Sequence, residues 1–294
     1  MAFQDWLERT LRPHFKRNCK IGDRPFFDKN LLPATADLEA AYPEIRAEVE
    51  KVLQRYDELT PFQQISPDQI DLSDDDRWKM FFLKAAGIRF ERNIQQMPKT
   101  MAIIDKHPIV CSAYLSILGP RKTLPPHEGP WSGILRAHLG VIIPQEGKCH
   151  IRVDGKPYFW RNGEVVYFDD TYMHEAHNDT DELRVVLFMD TMRPLAFPWN
   201  FINWAILRLA WLMPYVSVPL KRHKEWEKAF YGIGADSDDR PSTPLLFSRW
   251  MQDWRNTDGA SVNDGGVHRR QERNLYGQGD KQSGQTARKF VRPD

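Results

Sequence analysis

The sequence predicts a mainly β core with helices packed on its outside. Three observations carry this: short apolar runs crowded between residues 109 and 194, turn-forming residues between them, and helix-period patterning only outside that stretch. The runs 109–118, 134–143, 150–153 with 158–160, 165–168 and 185–189 read as strands, most of them bounded by Gly, Pro, Asp or Asn, which supply turn geometries that strands cannot. Asp154-Gly155 between two of these runs is a tight-hairpin signal, so the flanking runs are expected to pair directly.

The outer elements follow in chain order. From about 36 to 57, Leu38, Ala41, Ile45, Val49, Val52 and Leu53 recur at helical spacing, with Pro43 in the first turn or at a kink. Residues 59–76, with two prolines and Asp74-Asp75-Asp76, read as a solvated loop, and 78–83 as a short strand. The stretch 91–106 is helical again, through Ile94, Met97, Met101 and Ile104, with Pro98 interrupting or starting it. After Pro194, residues 201–213 are dense in apolar and aromatic side chains, with Arg208 their only charge. Pro214 and Pro219 are expected to stop the run, and Lys221, Arg222 and Lys224 follow. It is shorter than the ~20 residues needed to cross a bilayer, so no transmembrane span is expected. Two readings remain open: a helix buried against the barrel, or an interfacial helix or acyl-chain groove with basic flanks. From residue 232 the chain is polar and reads as a flexible tail. Four regions result: a helical packing region (1–75), the β core (76–195), an apolar helical segment with a basic flank (196–231) and the tail (232–294).

Composition narrows the function classes. In 294 residues, 41 basic against 40 acidic side chains leave a net charge of +1 and no global pull toward nucleic acid. Cys19, Cys111 and Cys149 cannot all pair and read as reduced structural thiols. The first residues lack the basic-then-apolar plan of a signal peptide, so a cytoplasmic location is expected, with peripheral contact at the inner face of a membrane through 201–224 as the second reading.

The chemistry rests on a few polar residues set among the strands. His127 lies in Pro125-Pro126-His127-Glu128-Gly129-Pro130 at the mouth of a strand, and His174 in Asp169-Asp170-Thr171-Tyr172-Met173-His174-Glu175. Neutral imidazoles suit mid-to-late first-row metals, and two of them with open positions and a carboxylate form the set used by non-haem iron oxygenases. A lone loop histidine is ordinarily a surface residue; two at strand ends, with Arg184 one strand beyond, are harder to dismiss. Arg184 is a permanent cation able to clamp a carboxylate, or else the partner of a neighbouring acid. Arg136 and His138, two apart, share one face of their strand.

The pattern Ser116…His127-Glu128-Gly129-Pro130…Arg136-Ala137-His138-Leu139-Gly140…Phe168-Asp169-Asp170…His174-Glu175…Arg184 resembles the aspartyl/asparaginyl β-hydroxylase family of Fe(II)- and 2-oxoglutarate-dependent dioxygenases. The resemblance covers about 78–194 and implies a double-stranded β-helix, the jelly roll shared with cupins. It implies that His127 and His174 hold iron, that Arg184 and Ser116 hold the distal carboxylate of 2-oxoglutarate, that Arg136 and His138 face its chelating end, and that Trp78 lines its pocket. It also implies oxidative decarboxylation of 2-oxoglutarate to succinate and CO2, with O2 consumed and a C–H bond hydroxylated.

Where the commoner oxygenases carry a His-x-Asp or His-x-Glu ligand, this chain has Gly129, as in the eukaryotic aspartyl hydroxylases. Glu128 would face the other way on a strand, and Asp169, Asp170 and Glu175 remain candidates for a remote carboxylate. The stretches 152–158 and 193–195 resemble the lipid A and ornithine-lipid acyl hydroxylases, so a lipid acyl chain is the expected substrate, with an Asp, Asn or other peptide or small-molecule position as the alternative. From other classes, a non-catalytic barrel binding metal and anion and a zinc hydrolase stay open; the latter ordinarily uses three protein ligands and a general base.

Overall fold

The computed structural model of the chain describes residues 2–232; apart from Gly232, the expected polar tail 232–294 lies outside the described residues. The chain begins with α1 (Ala2–Arg17), β1 (Phe26–Phe27), α2 (Thr35–Ala40), α3 (Tyr42–Leu53), β2 (Thr60–Pro61) and α4 (Phe62–Ile65). It continues through β3 (Trp78–Ala85), β4 (Ile88–Arg89), α5 (Glu91–Gln96), α6 (Pro98–Ile104), β5 (Val110–Leu118), β6 (Lys122–His127) and β7 (Ile134–Ile142). Then come β8 (Cys149–Val153), β9 (Lys156–Phe159), β10 (Val165–Phe168), β11 (His174–Asn178), β12 (Arg184–Met192), α7 (Trp199–Leu209) and α8 (Pro214–Tyr231).

A large sheet runs β1-β10-β7-β12-β5-β3-β2, with β4 on β3, and a small one runs β6-β11-β8-β9; every pairing is antiparallel. Two antiparallel sheets facing each other make the jelly roll. Strand alternation sorts the core into two clusters. On β3, Phe81 and Leu83 join Ile45, Val49, Met97 and Met101 of the helical layer, whereas Trp78, Met80 and Phe82 join Ile151, Phe168 and Phe188 between the sheets. The Asp154-Gly155 turn closes the β8–β9 hairpin with φ of 52° and 73°, the left-handed pair such a turn requires.

Several expectations are corrected. Residues 59–76 are not a solvated loop: Thr60–Pro61 pairs with β3, and Phe62 is buried, its ring stacked 3.8 Å from that of Trp78. The helix expected over 36–57 breaks at Ala41 into α2 and α3, because Pro43 enters the first turn of α3, where its missing N–H costs nothing. The apolar segment does stop before Pro214, where Met213 is extended, but Pro219 stops nothing. Pro214 starts the 18-residue α8, and Pro219, early in that helix, sacrifices one backbone bond. The reading of 201–213 as a helix packed against the barrel holds in part: Trp199, Trp204, Ile206 and Leu207 of α7 pack half-buried on the core and Asn203 is fully buried, while Phe201, Leu209, Trp211 and Leu212 face outward. The N-terminal region contributes strands β1 and β2 to the large sheet in addition to its helices. Besides the two-residue strands β1, β2 and β4, two longer strands went unread in the sequence, β6 and β11. The first carries Pro125-Pro126 at the edge of the small sheet, where missing donors are tolerated, and the second is short and polar.

Candidate functional site

The two longer unread strands carry the two histidines. β6 and β11 pair so that His127 and His174 stand opposite each other, with ring centroids 4.1 Å apart. Each ring turns its Nδ1 toward a backbone carbonyl two residues earlier, His127 to Pro125 at 2.7 Å and His174 to Tyr172 at 3.0 Å. Those bonds fix Nδ1 as the protonated nitrogen and leave each Nε2 with a lone pair, the form a metal ligand needs. Burial keeps both rings neutral: it lowers the His127 pKa and pushes His174, with His127 alongside, down to about 3.

Across the interior, Arg184 opens β12 fully buried. Its Nη1 donates to Ser116 O at 3.2 Å and to Ser116 Oγ at 3.3 Å, and its guanidinium lies over the Trp160 ring at 4.7 Å. Ser116 Oγ also accepts from Trp78 Nε1 at 3.1 Å, so Trp78, Ser116 and Arg184 meet at one point. Among the described residues no carboxylate lies within ion-pairing distance of Arg184, its Nε has no hydrogen-bond partner, and burial lowers its pKa to about 10. An ion pair with a neighbouring acid is thus not what holds it.

On β7, His138 is buried against Phe168 and Phe188, and neither ring nitrogen has a hydrogen-bond partner among the described residues. Arg136 shares its face but is already engaged. Its Nε sits 2.9 Å from Asp170 Oδ2 and 3.5 Å from Asp190 Oδ1, with the guanidinium over the Phe188 ring. Burial raises the Asp170 pKa to about 7 against the pull of Arg136.

The carboxylates near the histidines divide by direction. Glu128 points outward to Arg12 at 3.0 Å, Glu175 pairs with Arg152 at 3.0 Å, and Asp169 is taken by buried Arg193. Only Asp170 turns toward the histidine strand. A Cβ built on Gly129 would fall inside its carboxylate, so glycine at 129 is a packing requirement of Asp170. Among the described residues no third His, Cys, Asp or Glu joins the histidine pair in a metal-binding group. Asp190 and Trp160 escaped the sequence reading, although Asp190 shares the period-two face of Arg184 and Phe188, which was signal enough.

The residues present fit a divalent metal with a dianionic ligand: two Nε2 atoms left free of the backbone bonds, and, among the described residues, a buried cation without a counter-charge and a buried imidazole without a hydrogen-bond partner. Fold and donor set together are those of a jelly-roll hydroxylase. Residues 39–194 match the family described as aspartyl/asparaginyl beta-hydroxylase, and this chain belongs to it. It is similar to the ornithine lipid ester-linked acyl 2-hydroxylase of Rhizobium tropici, 47% identical over 224 residues that cover 76% of this chain and 80% of that protein. Human aspartyl/asparaginyl beta-hydroxylase is 33% identical over 137 residues, 45% of this chain and 18% of its own length. Among solved structures, a Pseudomonas putida prolyl-4-hydroxylase aligns at a TM-score of 0.34 with 15% identity, over 56% of this chain and 90% of that one, too low to carry weight.

Proposed function

We propose that the protein is an Fe(II)- and 2-oxoglutarate-dependent dioxygenase that hydroxylates a lipid acyl chain. His127 and His174 hold the iron through Nε2, and Arg184 with Ser116 receives the distal carboxylate of 2-oxoglutarate. His138 faces the chelating end of the cosubstrate, with Arg136 beside it, and Trp78 walls the pocket while orienting Ser116 Oγ. Iron, 2-oxoglutarate and O2 together supply the oxidation of a C–H bond, releasing succinate and CO2.

The chain's own residues bind, orient and exclude water. Buried Arg184 fixes one end of a dicarboxylate by paired hydrogen bonds, with Trp160 and Trp78 excluding water around it. Asp170 and Asp190 hold Arg136 in place, so its charge is positioned before anything binds. The observation that carries the reading is Arg184, a cation buried without a counter-charge, which is costly unless an anion arrives.

Support for the lipid substrate comes from the similarity to the Rhizobium tropici acyl 2-hydroxylase, which extends over more residues than the family segment itself. The apolar, basic-flanked segment 201–224 gives peripheral contact with a membrane, and no single helix among the described residues is long and apolar enough to cross one. Three free cysteines agree with a reducing, cytoplasmic compartment. The test is incubation of iron-loaded protein, 2-oxoglutarate and O2 with ornithine lipid and, in parallel, with a peptide bearing Asp and Asn, read by mass spectrometry. One added oxygen on an acyl chain supports the reading. An added oxygen only on Asp or Asn of a peptide moves the substrate to that alternative.

A further inference from the structure

Six of the ten exposed large apolar side chains among the described residues lie on α1, on α7 and in the 3-10 turn after it. Phe3, Trp6, Phe201, Leu209, Trp211 and Leu212 are each between 47% and 66% exposed. Scattered exposure of this kind is ordinary; concentration on two adjacent helices is not. The two helices meet where the end of α1 reaches the start of α7. His14, near the end of α1, stacks on Trp199 at the start of α7, with ring centroids 4.5 Å apart. A turn or two back, Glu8 accepts from Ser132 N and Oγ at 3.0 Å, while Asn203 of α7 takes Trp131 Nε1 at 3.1 Å and donates to Gly133 O at 2.7 Å. Both helices thus brace the 131–133 segment, and each carries exposed apolar residues beyond that anchor, Phe3 and Trp6 on α1 and Leu209, Trp211 and Leu212 at the end of the α7 segment.

Charge follows the same distribution. Residues 2–17 and 199–212 carry five Lys or Arg against two Asp or Glu, an excess of three, and the following α8 adds four against two, although the whole chain has an excess of one. The rest of the chain is thus net acidic, and positive charge is collected on the helices that expose the apolar residues and on α8, which follows them. That combination suits an anionic lipid surface.

The patch also borders the reaction centre. Glu8 and Arg12 of α1 brace the segment leaving His127, through Ser132 and through Glu128 at 3.0 Å, and Lys16 lies 4.0 Å above the Tyr172 ring, two residues before His174.

We propose that α1 and α7 together form a docking platform by which the protein sits peripherally on an anionic bilayer, with Phe3 and Trp6 of the N-terminal helix inserting beside Trp211 and Leu212. This deepens the lipid-substrate reading and rests on it for its purpose, but vesicle binding needs neither iron nor turnover. Full-length protein is sedimented with vesicles of phosphatidylcholine alone and with vesicles containing roughly 30% phosphatidylglycerol. Binding is expected to the anionic vesicles, reversed by high salt, and about tenfold weaker in Phe3→Ser/Trp6→Ser and in Trp211→Ser/Leu212→Ser at unchanged Tm. Quenching of tryptophan fluorescence by brominated lipid, lost in part in either variant, reports the same insertion without relying on affinity. Variants that partition like the parent overturn the proposal. So does resistance to salt and alkaline carbonate, which would make Trp199–Leu212 and Val216–Tyr231, bent by 51°, a broken span. A dimer seen by light scattering and abolished by the same substitutions would give the face to a second copy instead. Vesicle binding as expected, with no lipid hydroxylated in any form, would leave the platform standing and remove the acyl substrate.

Discussion

Arg184 and Gly129 show how much a single position decides in this site. Arg184 has Ser116 as its hydrogen-bond acceptor and the Trp160 ring beside it, and a buried guanidinium with so few acceptors is arranged for an incoming anion. Arg184→Ala should raise the 2-oxoglutarate concentration needed for half-maximal turnover by roughly 10- to 100-fold, with iron binding retained. Unchanged cosubstrate kinetics would remove Arg184 from its role. His174→Ala should lose stoichiometric Fe(II), measured on anaerobically loaded protein, because His127 alone offers one protein donor. Gly129 has a different task. A methyl group there collides with the Asp170 carboxylate, so Gly129→Ala should cost about 1–3 kcal/mol in urea unfolding and displace Asp170 from Arg136. The histidines and arginines were legible as residue types in a familiar spacing. That Asp170 occupies the space a side chain at 129 would fill was not, because their contact depends on how two loops approach.

At the scale of elements, the sequence was readable where patterning was strong and silent where function overrode it. The long strands of the large sheet announce themselves by apolar runs; β6 and β11, which hold the histidines, are short, polar or proline-bearing. The helix α8 was hidden by its two prolines, and its docking yields a pH prediction. His223 is fully buried against Phe82, Phe90 and Trp226, and burial pushes its pKa down to about 3 from 6.5. Between these values the unfolded chain binds a proton that the folded one refuses. The stability contributed by this site is therefore complete above pH 6.5 and declines as pH falls, by up to about 1.4 kcal/mol per pH unit. His223→Leu should remove this part of the slope, so the stability gap between parent and variant changes in the variant's favour as pH drops from 7 to about 5. Parallel unfolding curves across that range would show that His223 does not stay neutral in the folded chain.

Over the whole molecule, one sheet serves two cores. Its outer face carries the helical layer, and its inner face, closed by the small sheet, carries Trp78, Ser116, Arg136, His138 and Arg184 toward the histidine pair. The fold class could be read from strand spacing and turns, since these are local; that α7 buries one face and exposes Phe201 and Leu209 could not, because the same apolar run suits a buried helix or a membrane-facing one. Membership of the hydroxylase family follows from the match over 39–194, and the dependence on iron and 2-oxoglutarate is the central claim added to it. The most direct measurement is succinate formation from 2-oxoglutarate by anaerobically Fe(II)-loaded protein on admission of O2, with and without ornithine lipid. The account predicts succinate in step with O2 consumed, stimulated by lipid and lost in His174→Ala. No succinate from protein shown to hold both iron and 2-oxoglutarate would contradict it and leave a barrel that binds without turning over.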